Sequence, residues 1–200
     1  MKTFLTALIL CFAQSVTATT ILCLGDSLTE GYGIPKNSAW PAVTEKTLRD
    51  KKLDVTMINA GVSGSTTASG PSRLQWHLKS KIKPDWLFLA LGANDGLRGQ
   101  DVKAAQKNLE KTIQIAKEGG LKKIILAGIR IPTSYGPAYA KAFDAMFPTV
   151  AKQQKIHLLP FLLQDVATKP ELNLPDGIHP NVEGHRIVAA HVAKFLESLL

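Results

Sequence analysis

A chain of 200 residues that is 45% hydrophobic and 20% charged is neither a disordered polymer nor a fibrous repeat, and it is long enough for one domain with its own core. The net charge is +8, from 24 basic and 16 acidic residues. The basic residues come in scattered pairs such as Lys51 with Lys52 and Lys122 with Lys123, without the stripe and interleaved aromatics of a nucleic-acid binder, so no nucleic-acid partner is expected.

Residues 1–18 set Lys2 before an apolar run from Phe4 to Ala13 and end on small residues at Val16 and Ala18, the layout of a cleavable export signal. That run is about half of the ~20 residues needed to span a bilayer. The expected product is therefore one domain over 19–200, periplasmic or secreted, with no integral membrane segment. The bulky Leu10 before Cys11 argues against lipid modification there. With the leader gone Cys23 stands alone, so no intramolecular disulfide is expected, and its place in the apolar run ILCL reads as a small buried hydrophobe.

The first strand is expected over 20–24 and hands over to GDSLTEG at 25–31. Ser27 sits at that handover, where a serine acts as a nucleophile or accepts backbone N–H bonds as a helix cap; position alone leaves both open. The flanking residues do not form the GxSxG elbow of α/β-hydrolases. A helix over 39–50 and a strand over 54–58 lead to NAGVSGSTT at 59–67, where Gly61 and Gly64 let backbone amides approach a ligand or simply turn the chain. A helix over 72–80 and a strand over 86–91 lead to LGANDGLRG at 91–99, in which Asn94 offers an amide donor or forms a turn. Asp26 and Asp95 read as carboxylates bracing loop N–H groups.

A helix over 101–118, stopped by Gly119 and Gly120, precedes a strand over 123–129, a helix over 137–153 and a short strand over 156–158. The last loop is PDGIHP at 175–180, followed by a helix over 181–199 with Val188, Val192, Phe195 and Leu199 as a packing stripe. An imidazole with an ordinary pKa near ~6.5 accepts and returns a proton at neutral pH. Asp176, three residues before His179 across the flexible Gly177, is placed to hold the ring tautomer that leaves Nε2 as the base, while Pro175 and Pro180 stiffen the loop. A metal site would need further ligands, and no HExxH, CxxC or matching His cluster supplies them. His77, His157, His185 and His191 lack a carboxylate at comparable spacing and read as packing residues.

Strands alternating with helices require crossover connections, so the predicted fold class is α/β: a parallel sheet of five strands inside a three-layer α/β/α sandwich, with reactive groups beyond the carboxyl ends of the strands.

GDSL around Ser27, the Gly64 loop, GAND with Asn94, and DGIH with Asp176 and His179 follow one another at the ends of successive strands. Taken together they resemble the SGNH hydrolase superfamily, the GDSL esterases and lipases. The stretches AWPAV, IRIPTSYGPAY, LLPFLLQDV and DGIHPN are similar to its bacterial periplasmic branch of thioesterases, lysophospholipases and arylesterases, so the likeness covers nearly all of 19–200. The resemblance implies a flavodoxin-like sandwich, with Ser27 as nucleophile, His179 as general base and Asp176 orienting it. It also implies an oxyanion hole from the Ser27 and Gly64 N–H groups and the Asn94 side chain, no cofactor, and a monomer. One departure stands out: many close relatives read GDT where this chain has Gly64, Ser65 and Thr66, so a carboxylate beside the oxyanion loop is missing.

The implied substrate is a small-molecule acyl ester or thioester, held on apolar walls that Leu97, Ile131, Pro132, Tyr135 and Leu174 are expected to supply. Two alternatives are a carbohydrate O-acetylesterase using the same groups on smaller acyl chains, and a non-catalytic lipid-binding protein. The second would be expected to have lost Ser27, Asn94 or His179, and all three are present.

Overall fold

The computed structural model describes residues 18–200; the export signal expected over 1–18 lies, apart from Ala18, outside the described residues. Strands β1 (Thr19–Gly25), β2 (Val55–Gly61), β3 (Trp86–Ala90), β4 (Lys123–Ala127) and β5 (His157–Leu159) form one parallel sheet in the order β2-β1-β3-β4-β5. Between and after them run α1 (Ser27–Glu30), α2 (Trp40–Asp50), α3 (Gly70–Leu78), α4 (Ala93–Leu97), α5 (Val102–Glu118), α6 (Pro137–Gln154) and α7 (Val182–Glu197). The expected five-stranded three-layer sandwich is what forms.

Strand order explains the layers. The chain steps one way from β1 to β2 and then back across β1 to β3, β4 and β5, and right-handed crossovers in opposite directions put their helices on opposite faces. So α2 packs with α7 on one face, while α3, α5 and α6 pack in sequence on the other. The reversal between β1 and β3 is the switch point where loops diverge and leave a crevice. Register aligns the strand ends, with Gly25 opposite both Gly61 and Ala90, so the loops after β1, β2 and β3 leave from one line.

The core follows from burial on both sides of the sheet. Central β3, WLFLA, is buried at every position, as a parallel strand covered on both faces must be, whereas edge strand β2 alternates. Trp40 from α2 meets Phe88 of β3 with ring centroids 5.0 Å apart, and Phe143 meets Phe147 edge-on at 5.6 Å. Helix α2 has no side-chain cap of its own; the Trp40 N–H donates instead to Nδ1 of His185 on α7 at 3.1 Å. Burial pushes that imidazole down to about 4, which keeps it neutral and able to accept.

Several boundaries differ from expectation. Helix α3 begins at Gly70 because Pro71 fits the first helical turn. Strands β3 and β4 stop at Ala90 and Ala127, so Leu91 and Ile129 are buried without being paired. At the end of α5 the left-handed residue is Gly120 (φ 77°), not Gly119, whose missing side chain makes room for Leu78. In α7 the buried line runs through Val188, Ala189, Val192, Ala193 and Leu196, and Phe195 and Leu199 are only partly covered. No helix among the described residues is long and apolar enough to cross a membrane.

Candidate active site

At the end of β1 the chain turns through Asp26 into the short helix α1. The Asp26 carboxylate caps that helix, its Oδ1 accepting from the Leu28 N–H at 3.0 Å. Ser27 is therefore the first residue of the helix rather than its cap, and its hydroxyl is left for other work. The reading of Ser27 as a cap is thereby replaced. Gly25 and Gly61 are required here: a Cβ on Gly25 would collide with Thr29, and one on Gly61 would collide with the Glu30 backbone, so α1 is pressed onto the ends of both strands.

The PDGIHP loop arrives from the far end of the sheet, after β5. Nε2 of His179 lies 2.8 Å from Ser27 Oγ, and Nδ1 lies 2.8 Å from Asp176 Oδ2. With Nδ1–H donated to the carboxylate, Nε2 accepts from the hydroxyl. The other Asp176 oxygen accepts from the backbone N–H of Ile178 at 2.9 Å and of His179 at 3.0 Å. Partial burial works against ionisation of Asp176, but those N–H groups and the imidazole outweigh it and hold the carboxyl down to about 2. Gly177 takes φ 69°, and the Leu174 N–H donates to the His179 carbonyl at 2.7 Å, fixing the loop at its base. The Tyr32 ring lies 4.6 Å from the imidazole.

The loop after β2 approaches from the other side. Gly64 adopts φ 76°, a conformation that favours glycine, and Asn94 stands in the first turn of α4 with its Nδ2 donating to the Ser65 carbonyl at 3.0 Å. Ser27, Gly64 and Asn94 thus belong to three loops that leave adjacent strands.

What binds those loops together was only partly expected. Asp95, fully buried, braces not its own turn but the neighbouring loop, accepting from the Thr67 N–H at 2.9 Å and the Thr67 hydroxyl at 2.6 Å. The Asn108 amide donates to the same hydroxyl at 3.2 Å. Glu30 of α1 takes Ser63 by its N–H at 2.7 Å and its hydroxyl at 2.5 Å. Two carboxylates from outside the loop, Glu30 and Asp95, thus hold it on either side of Ser65.

Arg73 of α3 escaped sequence reading altogether. Its guanidinium donates to the Gly25 carbonyl at 2.9 Å and to the Ala60 carbonyl, spanning the ends of β1 and β2 just before the Ser27 turn and the Gly64 loop. Nothing in a helical SRLQW distinguishes this arginine from a surface one. Burial pushes the Asp26 carboxyl up to about 7; the Leu28 N–H opposes this, Asp95 adds to it, and Arg73 eases it.

Beside these groups opens a cavity of about 360 Å³ lined mainly by apolar side chains, among them Leu28, Leu97, Ile131, Pro132, Phe161 and Ile178. Leu97, Ile131 and Pro132 are where the sequence placed them. Tyr135 and Leu174 are not part of this lining: Tyr135 is exposed on a 3-10 turn, and Leu174 packs against Gly33, leaving no room there for a Cβ. Phe161 and Ile178 take their place. Cys23 is buried and its thiol is pushed far up by that burial, consistent with packing alone. No group of three or more His, Cys, Asp or Glu side chains able to hold a metal ion occurs among the described residues.

The chain as a whole is similar to known proteins. Residues 23–187 match the GDSL-like Lipase/Acylhydrolase family. The chain is 40% identical over 184 residues to an arylesterase of Vibrio mimicus, covering 92% of this chain and 91% of that one. It is 37% identical over 194 residues to thioesterase 1/protease 1/lysophospholipase L1 of Escherichia coli K12, covering 96% and 90%. The crystal structure of TesA superposes with a TM-score of 0.86 at 37% identity, over 91% of this chain and all of that one.

Proposed function

The chain belongs to the GDSL-like Lipase/Acylhydrolase family and is a carboxylic ester hydrolase, and we propose that it works through Ser27, His179 and Asp176 by way of an acyl-enzyme. The observation that carries this reading is the unbroken contact from Ser27 Oγ to His179 to Asp176, 2.8 Å at each step, beside an apolar cavity that their chain neighbours Leu28, Gly177 and Ile178 line.

As Ser27 Oγ attacks the acyl carbonyl carbon, its proton passes to Nε2 of His179. The imidazolium that forms faces an Asp176 carboxylate already ionised by its backbone donors. Negative charge gathers on the carbonyl oxygen, where the Ser27 and Gly64 N–H groups and the Asn94 amide serve as donors. Collapse breaks the bond to the leaving alcohol or thiol, which takes the proton from Nε2. Water then repeats the sequence: it gives a proton to Nε2 and its oxygen to the acyl carbon, and Ser27 regains the proton as the free acid leaves.

The names of the relatives and the apolar lining point to medium or long acyl chains on lysophospholipids, aryl esters or thioesters. An acetyl group would leave most of a cavity of about 360 Å³ unfilled, so carbohydrate deacetylation is the second reading. Export by the leader and action as a monomer belong to the same proposal. A panel of p-nitrophenyl esters and thioesters from acetyl upward, run on the protein and on Ser27→Ala, tests it. The expected result is a kcat/KM that climbs with chain length and vanishes in the variant. Full activity in Ser27→Ala removes the mechanism, and a maximum at acetyl removes the lipid reading.

A further inference from the structure

The segment from Gly70 to Pro84 crosses from the carboxyl to the amino end of the sheet and contains no acidic residue, but it carries Arg73, Lys79, Lys81 and Lys83. After α3 ends at Leu78 the chain folds into a tight turn, with the Lys79 N–H donating to the Trp76 carbonyl, the Ser80 N–H to the His77 carbonyl, and the Ser80 hydroxyl to the Ile82 carbonyl at 2.7 Å. The last turn of α3 presents Trp76, 69% exposed, and the turn after it presents Ile82, 65% exposed, the two most exposed large hydrophobic side chains among the described residues. Lys79, Lys81 and Lys83 around them are exposed, and none makes a salt bridge among the described residues. The nearest carboxylate in sequence, Asp85, is already paired with Lys122 at 2.7 Å.

We propose that the end of α3 and the turn after it, with Trp76, Lys79, Lys81, Ile82 and Lys83, form a docking site for an anionic lipid surface. The side-chain mixture decides the occupant. An indole prefers the boundary between headgroups and acyl chains, an isoleucine gains only by entering an apolar phase, and lysines straddle that boundary with stems down and ammonium groups among the phosphates. Nucleic acid would reward the lysines but give Ile82 nothing, and one tryptophan is no stacking ladder. Positive charge without compensating carboxylates supplies the attraction, which acts within about 10 Å at ordinary salt.

The site of docking has a consequence for orientation. The turn lies at the amino ends of the strands, and the catalytic groups lie at the carboxyl ends, so the bound enzyme keeps its cavity facing the aqueous side. Docking concentrates the enzyme where lipid esters are released without requiring the active site to enter the bilayer. It is a property separate from catalysis, and Ser27→Ala protein must dock as the wild type does.

The test uses an intrinsic reporter. Trp40 and Trp86 are buried, at 1% and 5% exposure, so a shift of tryptophan emission on binding reports Trp76. Phosphatidylcholine vesicles with and without phosphatidylglycerol are titrated into the protein and, in parallel, into a Trp76→Ala/Ile82→Ser variant, with binding read by co-sedimentation. The expected result is binding to the anionic vesicles alone, with a shift of emission to shorter wavelength that added salt reverses. The variant should lose binding by about tenfold or more while hydrolysing a soluble ester at the wild-type rate. Failure to bind anionic vesicles at low salt overturns the proposal, as does equal binding to neutral vesicles or unchanged binding by the variant. Binding of duplex DNA without an emission shift and in preference to vesicles assigns the patch to nucleic acid and likewise overturns it.

Discussion

At the carboxyl end of the sheet Asp26 and Asp95 are closed off from solvent, whereas at the amino end Lys51, Lys52, Lys79, Lys81 and Lys122 stand in it. The amino-end turns are joined by backbone bonds, such as the Asp85 N–H to the Thr20 carbonyl, and by exposed pairs such as Lys51 with Glu197. Pairs of that kind contribute little to stability, about 0–1 kcal/mol each, so charge there is free to shape the surface. At the carboxyl end several polar groups reach across from one loop to another. Glu30 holds Ser63, Asn94 holds Ser65, Asp95 holds Thr67, and Arg73 holds the ends of two strands. A buried polar group costs free energy unless it is fully paired, so the burial of Asp26, Thr67 and Asp95 together marks where geometry has been favoured over stability.

The contrast is sharpest at Asn94. Replacing it by alanine removes the side-chain donor proposed for the developing oxyanion and frees the Ser65 carbonyl together. The expected loss is about 10²–10³ in kcat, with KM little changed. Alanine at Lys122, by comparison, should leave the rate alone. If Asn94→Ala stays within about threefold of the wild type, the amide is a loop brace and the hole rests on backbone donors.

Arg73 asks whether a residue with no place for a substrate still governs the rate. Methionine keeps the length of the stem but abandons the Gly25 and Ala60 carbonyls, which lets the Ser27 turn and the Gly64 loop move independently. We expect kcat to fall by about tenfold to a hundredfold at constant KM, a scale set by what small misplacements of reacting groups cost. Lysine should restore only part, since an ammonium cannot fork between two carbonyls as a guanidinium does. A lower Tm with unchanged kcat would make Arg73 a stabilising residue and nothing more.

How much of this was readable beforehand divides along the same line. Alternating apolar runs and amphipathic stretches specify the sandwich because sheet and helix periods are local properties of the chain, and the four motifs carry Ser27, Asn94, Asp176 and His179 because those residues sit in short loops with fixed chemistry. Helices α1 and α4, of four and five residues, are too short to show a period. The Asp95–Thr67 bond spans 28 residues and the Arg73–Gly25 bond spans 48, so neither partner carries a mark of the other. Tyr135 was misplaced for a similar reason: an aromatic in a loop that does line the cavity can still point outward, and only the turn geometry decides.

Asp26 carries the smallest expected effect on the rate, and its effect on stability has a definite pH window. Folding raises its carboxyl from an ordinary 3.8 to about 7, chiefly by burial. Between those values the folded chain holds a proton that the unfolded chain has released, so stability should fall as pH rises from about 4 to about 7 and level off above. Asp176 works in the opposite sense and elsewhere: its carboxyl is held down to about 2, so its contribution is complete above about 4 and is lost only in more acid solution. Asparagine at position 26 keeps an oxygen for the Leu28 N–H and removes the titration. Its stability relative to the wild type should therefore grow by on the order of 2 kcal/mol between about pH 5 and about pH 7, measured by urea unfolding at each pH. Parallel curves for the two proteins would mean that Asp26 is ionised throughout, with Arg73 rather than a proton answering its charge.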